Sequence, residues 1–292
     1  MVKDLTIVHL SDLHFGGVAD LAQIEELERL VPTLEPDVIA FSGDLTQRSR
    51  HGEFQRARAL VRRFQETAPT LVVPGNHDVT WWRTPFGVRG VREKYAKYRQ
   101  YFGEDLTPTL EVPGLFLAGA LTAHGVAVGS LTPNLRDLAV KGHLPKTETD
   151  RVTRLFQQTG EKDFKVIVLH HNVLRGQLSE RMGLARWPEA HRRLLATGAD
   201  LVLCGHDHQE GADQLGDCLT ISTAGTLSTR MRGGRPPVFN LIKVDHQAVH
   251  VQFVRWESSP GSFRLSDVHS FAKRQPRPAA AKASATLEPR AV

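Results

Sequence analysis

The segment DVIAFSGDLTQRSRHGEFQRARALVRRFQETAPTLVVPG, residues 37–75, holds two apolar runs separated by a polar and amphipathic stretch. The runs DVIAFSG (37–43) and PTLVVPG (69–75) are rich in aliphatic residues and end in glycine, which is typical of buried strands. Between them, HGEFQRARALVRRFQET (51–67) has the apolar spacing of a helix. This order predicts two neighbouring parallel strands with a helix covering one face of the sheet.

The same alternation extends in both directions along the chain. LTIVHL (5–10) and the helical pattern ADLAQIEELERLVPTL (19–34) come before it. Seven further apolar runs follow: LFLAGAL (115–121), VAVGSL (126–131), FKVIVLHH (164–171), ADLVLCGH (199–206), CLTISTAG (218–225), VFNLIKVD (238–245) and AVHVQFVRW (248–256). Helices are predicted at KTETDRVTRLFQQ and PEAHRRLLATG. The last four runs have no helical pattern between them, so we expect them to complete the second half as antiparallel strands of an α/β fold.

The composition is that of an ordinary globular protein, with 292 residues of which 40% are hydrophobic. The beginning, MVKDLTIVHLSDLH, reaches charged residues too early for a signal peptide, and no apolar run approaches the length of a membrane span. The two cysteines, Cys204 and Cys218, are too few for a disulfide framework. These features predict a cytoplasmic protein without a membrane segment.

The net charge of +5 is compatible with a polyanionic partner or with an anionic substrate. The arginines are scattered at the spacing of solvated helix faces, and no basic stripe interleaved with aromatic residues is present. The charge pattern therefore disfavours nucleic acid as the partner.

Two segments differ from the rest of the predicted domain, which spans residues 1–272. The insertion at about 79–110 is rich in aromatic residues, and VREKYAKYRQYFG (91–103) within it predicts an amphipathic helix that ends at Gly103. Its aromatic side chains either pack against the main body or form a lid. Residues 273–292 are dominated by proline, alanine and charge, which predicts a disordered basic tail.

Polar residues of one chemical kind follow five of the predicted strands. They are Asp12 and His14; Asp44; Asn76, His77 and Asp78; His170 and His171; and His206, Asp207 and His208. The carboxyl ends of parallel strands lie at one edge of a sheet, so we expect these side chains to converge. A single aspartate after a strand is more often a helix N-cap, but five such strand ends together favour a metal site.

The spacing and chemistry of these residues point to two metal ions. In an extended chain residues i and i+2 point the same way, so Asp12 with His14, and His206 with His208, can each enter one site. Carboxylate, imidazole and amide ligands without thiolate suit Mn, Fe, Co, Ni or Zn. Two ions about 3.5–4 Å apart need a bridging carboxylate, and Asp44 is the natural bridge.

In this order, DLH, GDL, GNHD, the pair HH and GHDH resemble the five motifs of the calcineurin-like metallophosphoesterase superfamily, over residues 12–208. The resemblance implies a four-layered α/β/β/α sandwich of two mixed β-sheets flanked by helices, with a dinuclear centre of divalent or mixed-valence ions. It implies one metal on Asp12, His14 and His208, another on Asn76, His170 and His206, and Asp44 between them. His171 is the alternative to His170. His77 would act on the phosphoryl group, oriented by Asp78.

Several segments, among them VVPGNHDV, KGHLPKTETDRVTRLF and VLHHNVL, are most similar to bacterial class III cyclic nucleotide phosphodiesterases, which commonly have HHPP where this chain has HHNV. That similarity implies hydrolysis of phosphodiesters, with 3′,5′-cyclic nucleotides as leading substrates. The partner would be a small phosphoester such as a nucleotide, and a homodimer is compatible with it. The alternatives are a phosphomonoesterase or glycerophosphodiesterase, a nuclease, and a scaffold without metal.

Overall fold

The computed structural model describes residues 4–80, 94–125 and 140–274 of the chain. Within those ranges the strands form two six-stranded sheets. The first sheet contains β1 (Leu5–Leu10), β2 (Val38–Phe41), β3 (Thr70–Val72), β10 (Val238–Val244), β11 (Ala248–Glu257) and β12 (Ser262–Ala272), in the order β12-β11-β10-β1-β2-β3. The second contains β4 (Thr109–Val112), β5 (Leu115–Gly119), β6 (Phe164–His171), β7 (Leu201–Gly205), β8 (Gly211–Leu215) and β9 (Leu219–Thr223), in the order β4-β5-β6-β7-β9-β8.

Helices cover the outer face of each sheet. They are α1 (Leu21–Leu30), α2 (His51–Gln65), α3 (Ala96–Phe102), α4 (Lys146–Gln158) and α5 (Trp187–Ala196). The strands alternate between two apolar clusters: in β6, Val166 and Val168 pack between the sheets, whereas Ile167 and Leu169 pack against α4 and α5. The helices α1, α2 and α3 pack on the other side of the first sheet. The predicted four-layered α/β/β/α sandwich of two mixed sheets is therefore confirmed.

The prediction for the last four apolar runs is confirmed for one pair, because β10 and β11 are antiparallel neighbours. It was wrong in the pairing of β7 with β9 and in the sheet to which β10 and β11 belong. Strand β7 pairs with β9 in parallel, because the short edge strand β8 carries the chain back before β9 begins. The strands β10 and β11 belong to the first sheet, where β10 is antiparallel to β1. Strand β10 is buried on both faces along most of its length, and only a position inside a sheet supplies two covered faces.

The helix predicted in the insertion is present as α3, and its C-cap is Gly103 as expected. Tyr95 and Tyr98 are buried in the cluster beneath α1 and α2, and their hydroxyls donate to carbonyl oxygens of Ala123 and Val72 at 2.9 and 3.2 Å. These two aromatic side chains pack against the main body and do not form a lid.

Some predictions fall outside the described residues. They are the aromatic residues Trp81 and Trp82, the strand at 126–131, and the tail from residue 275 onward. None of the helices within the described ranges combines the length and apolar character needed to cross a bilayer.

Candidate metal centre

The structure brings the seven predicted ligands together where the carboxyl ends of β1, β2, β3, β6 and β7 meet. A first group is built from the segments after β1 and β7. In it, His208 Nε2 lies 3.1 Å from Asp12 Oδ1 and 3.0 Å from His14 Nε2, and His14 Nε2 lies 3.5 Å from Asp12 Oδ1. Three side chains thus direct ligand atoms at one point.

A second group lies beside the first. Asn76 Oδ1 is 3.0 Å from both His170 Nε2 and His206 Nδ1, and these two nitrogens are 3.3 Å apart. Asp44 lies between the groups, with its Oδ2 atom 3.4 Å from His170 Nε2 and 3.7 Å from His14 Nε2. The arrangement is two ligand clusters that share one carboxylate.

The backbone at five of these residues is left-handed. The φ angles are +54° at Asp12, +47° at His14, +52° at Asp44, +75° at His206 and +57° at His208. The pairs Asp12 with His14, and His206 with His208, therefore reach the site through tight left-handed turns. The prediction that an extended backbone directs both members of each pair into the site was wrong. Non-glycine residues in this region are uncommon and concentrate at functional sites.

Glycines next to the ligands allow the segments to approach closely. A Cβ atom on Gly75 would lie 2.2 Å from the backbone nitrogen and the Oδ1 atom of Asp44. A Cβ on Gly43 would lie 2.6 Å from the nitrogen of Gly75 and 2.8 Å from His170 Nδ1. Only glycine fits at either position. Gly43, before Asp44, and Gly75, before Asn76, therefore together allow the turns after β2 and β3 to touch.

Hydrogen bonds to backbone carbonyls fix the orientation of two imidazole rings. His170 Nδ1 donates to the carbonyl of Ser42 at 2.8 Å, and His208 Nδ1 donates to the carbonyl of Arg230 at 2.9 Å. A carbonyl can only accept, so in each ring Nδ1 carries a hydrogen and Nε2 faces the site, where it offers a lone pair when the ring is neutral.

The residues present fit two divalent cations. Asp12 Oδ2 accepts from Ser11 Oγ and from the nitrogen of His206, whereas the buried Oδ1 atom has no hydrogen-bond partner among the residues that the structure describes. An unpartnered carboxylate oxygen beside imidazole nitrogens is costly to bury unless a cation binds there. Nitrogen and oxygen ligands in this mixture are those that Mn, Fe, Co, Ni and Zn accept.

The electrostatics of the site favour one positive charge beside Asp44. Burial opposes protonation of His170, but the charge and the hydrogen bond of Asp44 raise the pKa of His170 to about 9. Burial and the nearby His170 charge lower the pKa of His206 to about 3. Burial would raise the pKa of Asp44, yet the surrounding imidazoles, His170 first, hold it well below its usual range. Asp44 thus stabilises a positive charge at His170, and that charge opposes a second one at His206.

His171, the second histidine of the pair, has hydrogen-bond partners that are not candidate metal ligands. Its Nδ1 atom lies 2.9 Å from Thr122 Oγ1, and its Nε2 atom lies 3.1 Å from the carbonyl of Val140. A nitrogen of His171 lies within 4.8 Å of nitrogens of His170 and His206, but both ring nitrogens have hydrogen-bond partners outside the two ligand groups. Of the histidine pair, His170 is the one whose free nitrogen faces Asn76 and Asp44.

His77 is supported differently from the expectation. Its Nδ1 atom donates to the carbonyl of Gln47 at 2.8 Å, and its backbone nitrogen donates to Asp44 Oδ1 at 2.8 Å. The ring lies edge-on to His14, with ring centroids 4.8 Å apart. The imidazole therefore adjoins the first ligand group and is oriented by a backbone carbonyl.

Asp78 holds the backbone around the ligands, and its expected role in orienting His77 was wrong. Its carboxylate accepts from the nitrogens of Gly75, Leu45 and Thr46 at 2.9, 3.1 and 2.8 Å, and also from Thr46 Oγ1. Burial, followed by the charge of Asp44, raises its pKa to about 6. Asp78 thus joins the turn after β3 to the turn after β2.

Sequence reasoning missed two residues beside His77. Arg230 Nη1 lies 3.2 Å from His77 Nε2 and 3.5 Å from Gln47 Oε1. Gln47 is three positions beyond Asp44 in GDLTQ, which was the available signal for it. Arg230 lies in an irregular segment between β9 and β10, where no spacing or motif distinguishes it from the other arginines.

Comparison with known proteins shows which protein family the chain matches. A family model described as calcineurin-like phosphoesterase matches residues 5–210. A transmembrane protein with a metallophosphoesterase domain from Bos taurus is 35% identical over 77 residues, which are 26% of this chain and 17% of that protein. The chain thus spans less than a fifth of the length of this curated relative.

Two solved structures share the fold. A purple acid phosphatase from yellow lupin (Lupinus luteus) superimposes with a TM-score of 0.65 and 12% identity, covering 94% of this chain and 54% of the lupin chain. A dimetal phosphatase from Danio rerio superimposes with a TM-score of 0.61 and 11% identity, covering 92% of this chain and 99% of that chain. At this level of identity the similarity shows the fold.

Proposed function

The chain belongs to the calcineurin-like phosphoesterase family, and from that premise we propose that it hydrolyses phosphoesters with the help of two bound metal ions. The observation that carries the proposal is the pair of ligand groups sharing Asp44, with Oδ2 3.4 Å from a nitrogen of one group and 3.7 Å from a nitrogen of the other. A shared carboxylate between two sets of nitrogen and oxygen ligands is the arrangement that a dinuclear centre requires.

In the proposed centre, Asp12, His14 and His208 hold one ion, and Asn76, His170 and His206 hold the other. When bound, the two ions supply charge neutralisation of phosphate oxygens and a water of lowered pKa. The ligand set suits several transition metals, and metal analysis of the purified protein identifies the bound ions.

His77 is proposed to act on the phosphoryl group. Its Nδ1 hydrogen is committed to Gln47, so the Nε2 atom is the one that faces the reacting group. The carbonyl fixes the ring plane, and the contact between the backbone nitrogen of His77 and Asp44 fixes its distance from the centre. A positioned imidazole of this kind can exchange a proton with, or donate to, the oxygen that gains charge.

The substrate class proposed is the phosphodiester, with 3′,5′-cyclic nucleotides first. The support is the similarity of KGHLPKTETDRVTRLF and VLHHNVL to class III cyclic nucleotide phosphodiesterases. In HHNV, Asn172 donates its amide to the carbonyls of Leu174 and Arg181, at 2.8 and 3.2 Å. Asn172 thereby fixes the loop after β6, which is the place where the resembling proteins commonly have proline.

A substrate panel tests the proposal. The protein reconstituted with Mn²⁺ is assayed with cyclic AMP, 2′,3′-cyclic AMP, bis-p-nitrophenyl phosphate, p-nitrophenyl phosphate and single-stranded DNA, with Asp44→Asn protein as the blank. We expect turnover of small diesters above that of the monoester, and none of it in the blank. Much faster monoester turnover would replace the diester assignment by a phosphatase, and no turnover of any substrate would refute the proposed function.

A further inference from the structure

We propose that Arg230 binds a non-bridging oxygen of the substrate's phosphoryl group, and so completes the reaction site from outside the metal-ligand motifs. The inference rests on the proposed function, and deepens it by naming a phosphate-binding residue. The residue lies in the segment between β9 and β10, which spans residues 224–237.

Hydrogen bonds join this segment directly to the turns that carry the candidate ligands Asp12 and His208. The nitrogen of Leu227 and the hydroxyl of Thr226 donate to the carbonyl of Asp12, at 3.2 and 2.9 Å. The carbonyl of Arg230 accepts from His208 Nδ1 at 2.9 Å. The backbone at Arg230 is therefore fixed relative to two candidate ligands, and its half-buried side chain extends to His77.

Arg230 differs in its partners from the next two arginines of the segment. Arg232 Nη1 lies 3.8 Å from Asp207 Oδ1, and Arg235 Nη1 lies 3.7 Å from Glu210 Oε1. Within the described part of the chain, the partners of Arg230 Nη1 are His77 Nε2 and Gln47 Oε1, neither of which carries a negative charge, and no carboxylate pairs with it. Arg232 and Arg235 thus anchor the segment, while Arg230 brings an uncompensated positive charge to the site.

An uncompensated guanidinium at this place is suited to an anion. Its planar donors match the oxygens of a phosphoryl group, and a hydrogen bond to an ionised oxygen is stronger than one to a neutral acceptor. When a phosphoryl group arrives, the guanidinium exchanges its contact with His77 Nε2 for one with a phosphate oxygen. The exchange frees Nε2 to face the reacting group, and no covalent bond changes.

Binding of inorganic phosphate tests this role separately from turnover. The probe is orthophosphate, titrated calorimetrically into the Mn²⁺-loaded full chain. For Arg230→Gln we expect phosphate affinity to fall by about 10- to 100-fold, the effect of losing a hydrogen bond to a charged partner. Metal content and the midpoint of thermal unfolding should equal those of the wild type. Arg29→Gln removes the same charge from an exposed pair on α1, and should bind phosphate like the wild type.

Each outcome decides the inference. Unchanged phosphate affinity in metal-loaded Arg230→Gln, or no phosphate binding by the metal-loaded wild type, overturns it. If Arg230→Gln fails to hold metal, Arg230→Lys takes its place, where a reduced affinity at full metal load supports the role and an unchanged one overturns it. Phosphate binding that depends on Arg230 in a protein that turns over no phosphoester would refute the proposed function and leave the phosphate site standing.

Discussion

At the scale of single residues, five of the seven candidate ligands lie where the backbone is strained. A left-handed conformation costs a non-glycine residue about 1–2 kcal/mol, and Asp12, His14, Asp44, His206 and His208 all adopt it. Glycine would relieve this strain but would remove the ligand. The surrounding hydrogen bonds therefore hold functional side chains in turns that local stability alone would give to glycine.

Replacement of Asp44 by asparagine is predicted to abolish metal binding. The amide retains an oxygen that can accept from the nitrogen of His77, so the turn keeps its hydrogen bond, but the negative charge between the two ligand groups is lost. Metal analysis after dialysis should show loss of both ions, and turnover should disappear. Asp150→Asn, an exposed carboxylate on α4, is the matched control. Asp44→Asn protein that retains two ions per chain would refute the bridging role.

Replacement of His77 by alanine is predicted to lower turnover and spare the metals. The side chain contributes its Nδ1 bond to Gln47 and its Nε2 contact with Arg230, whereas its contact with Asp44 comes from the backbone. We expect kcat to fall by about 10²- to 10⁴-fold, as for loss of a general acid or base, with unchanged metal content. His250→Ala, at a partly exposed pair with Asp245, controls for loss of an imidazole. A wild-type kcat in His77→Ala would contradict its role.

At the scale of elements, helix α3 supports the strand that leads to Asn76. Tyr98 is about 1% exposed, and its hydroxyl donates to the carbonyl of Val72, the last residue of β3. We predict that Tyr98→Ala lowers the free energy of unfolding by about 3–5 kcal/mol through the cavity it leaves. Tyr98→Phe should lose only about 1 kcal/mol with the hydrogen bond. Urea denaturation measures both, and equal losses would show that the ring packing contributes little.

The elements that sequence predicts well are those whose burial is decided locally. Strands β1, β2 and β3 with α1 and α2 follow from apolar runs alternating with amphipathic patterns. The placement of β10 beside β1 could not be predicted, because its apolar residues suit the interior of either sheet. The polar edge strand β8, GADQL, has no apolar pattern to reveal it.

In the candidate site too, sequence predicts what depends on neighbouring residues and does not predict contacts between distant positions. Its ligands could be named because each one follows a predicted strand in a recurring polar motif. The hydrogen-bond partners of Asp78 could not be predicted, since its carboxylate accepts from backbone nitrogens more than thirty positions away, at Leu45 and Thr46. Arg230 meets His77 across 153 positions, a contact that only the folded chain defines.

At the scale of the whole molecule, the two sheets supply complementary parts of the centre. Asp12, Asp44 and Asn76 follow strands of the first sheet, whereas His170 and His206 come from the second. Each of the two ligand groups contains residues from both sheets. Bound metal would therefore connect the sheets at the end of the sandwich, in addition to the apolar layer between them.

Metal binding is accordingly predicted to stabilise the whole fold. A ligand that binds only the folded state adds about 2.7 kcal/mol at a concentration 100 times its dissociation constant, which for a chain of this size raises the midpoint of thermal unfolding by several degrees. Calorimetry of chelator-treated and Mn²⁺-loaded protein measures the rise, and Asp44→Asn should not show it.

Because both sheets provide ligands, amide hydrogen exchange should slow on metal addition at the ends of β2 and β6 together. Slowing confined to one sheet would mean that the ions bind to that sheet alone, contrary to a shared centre.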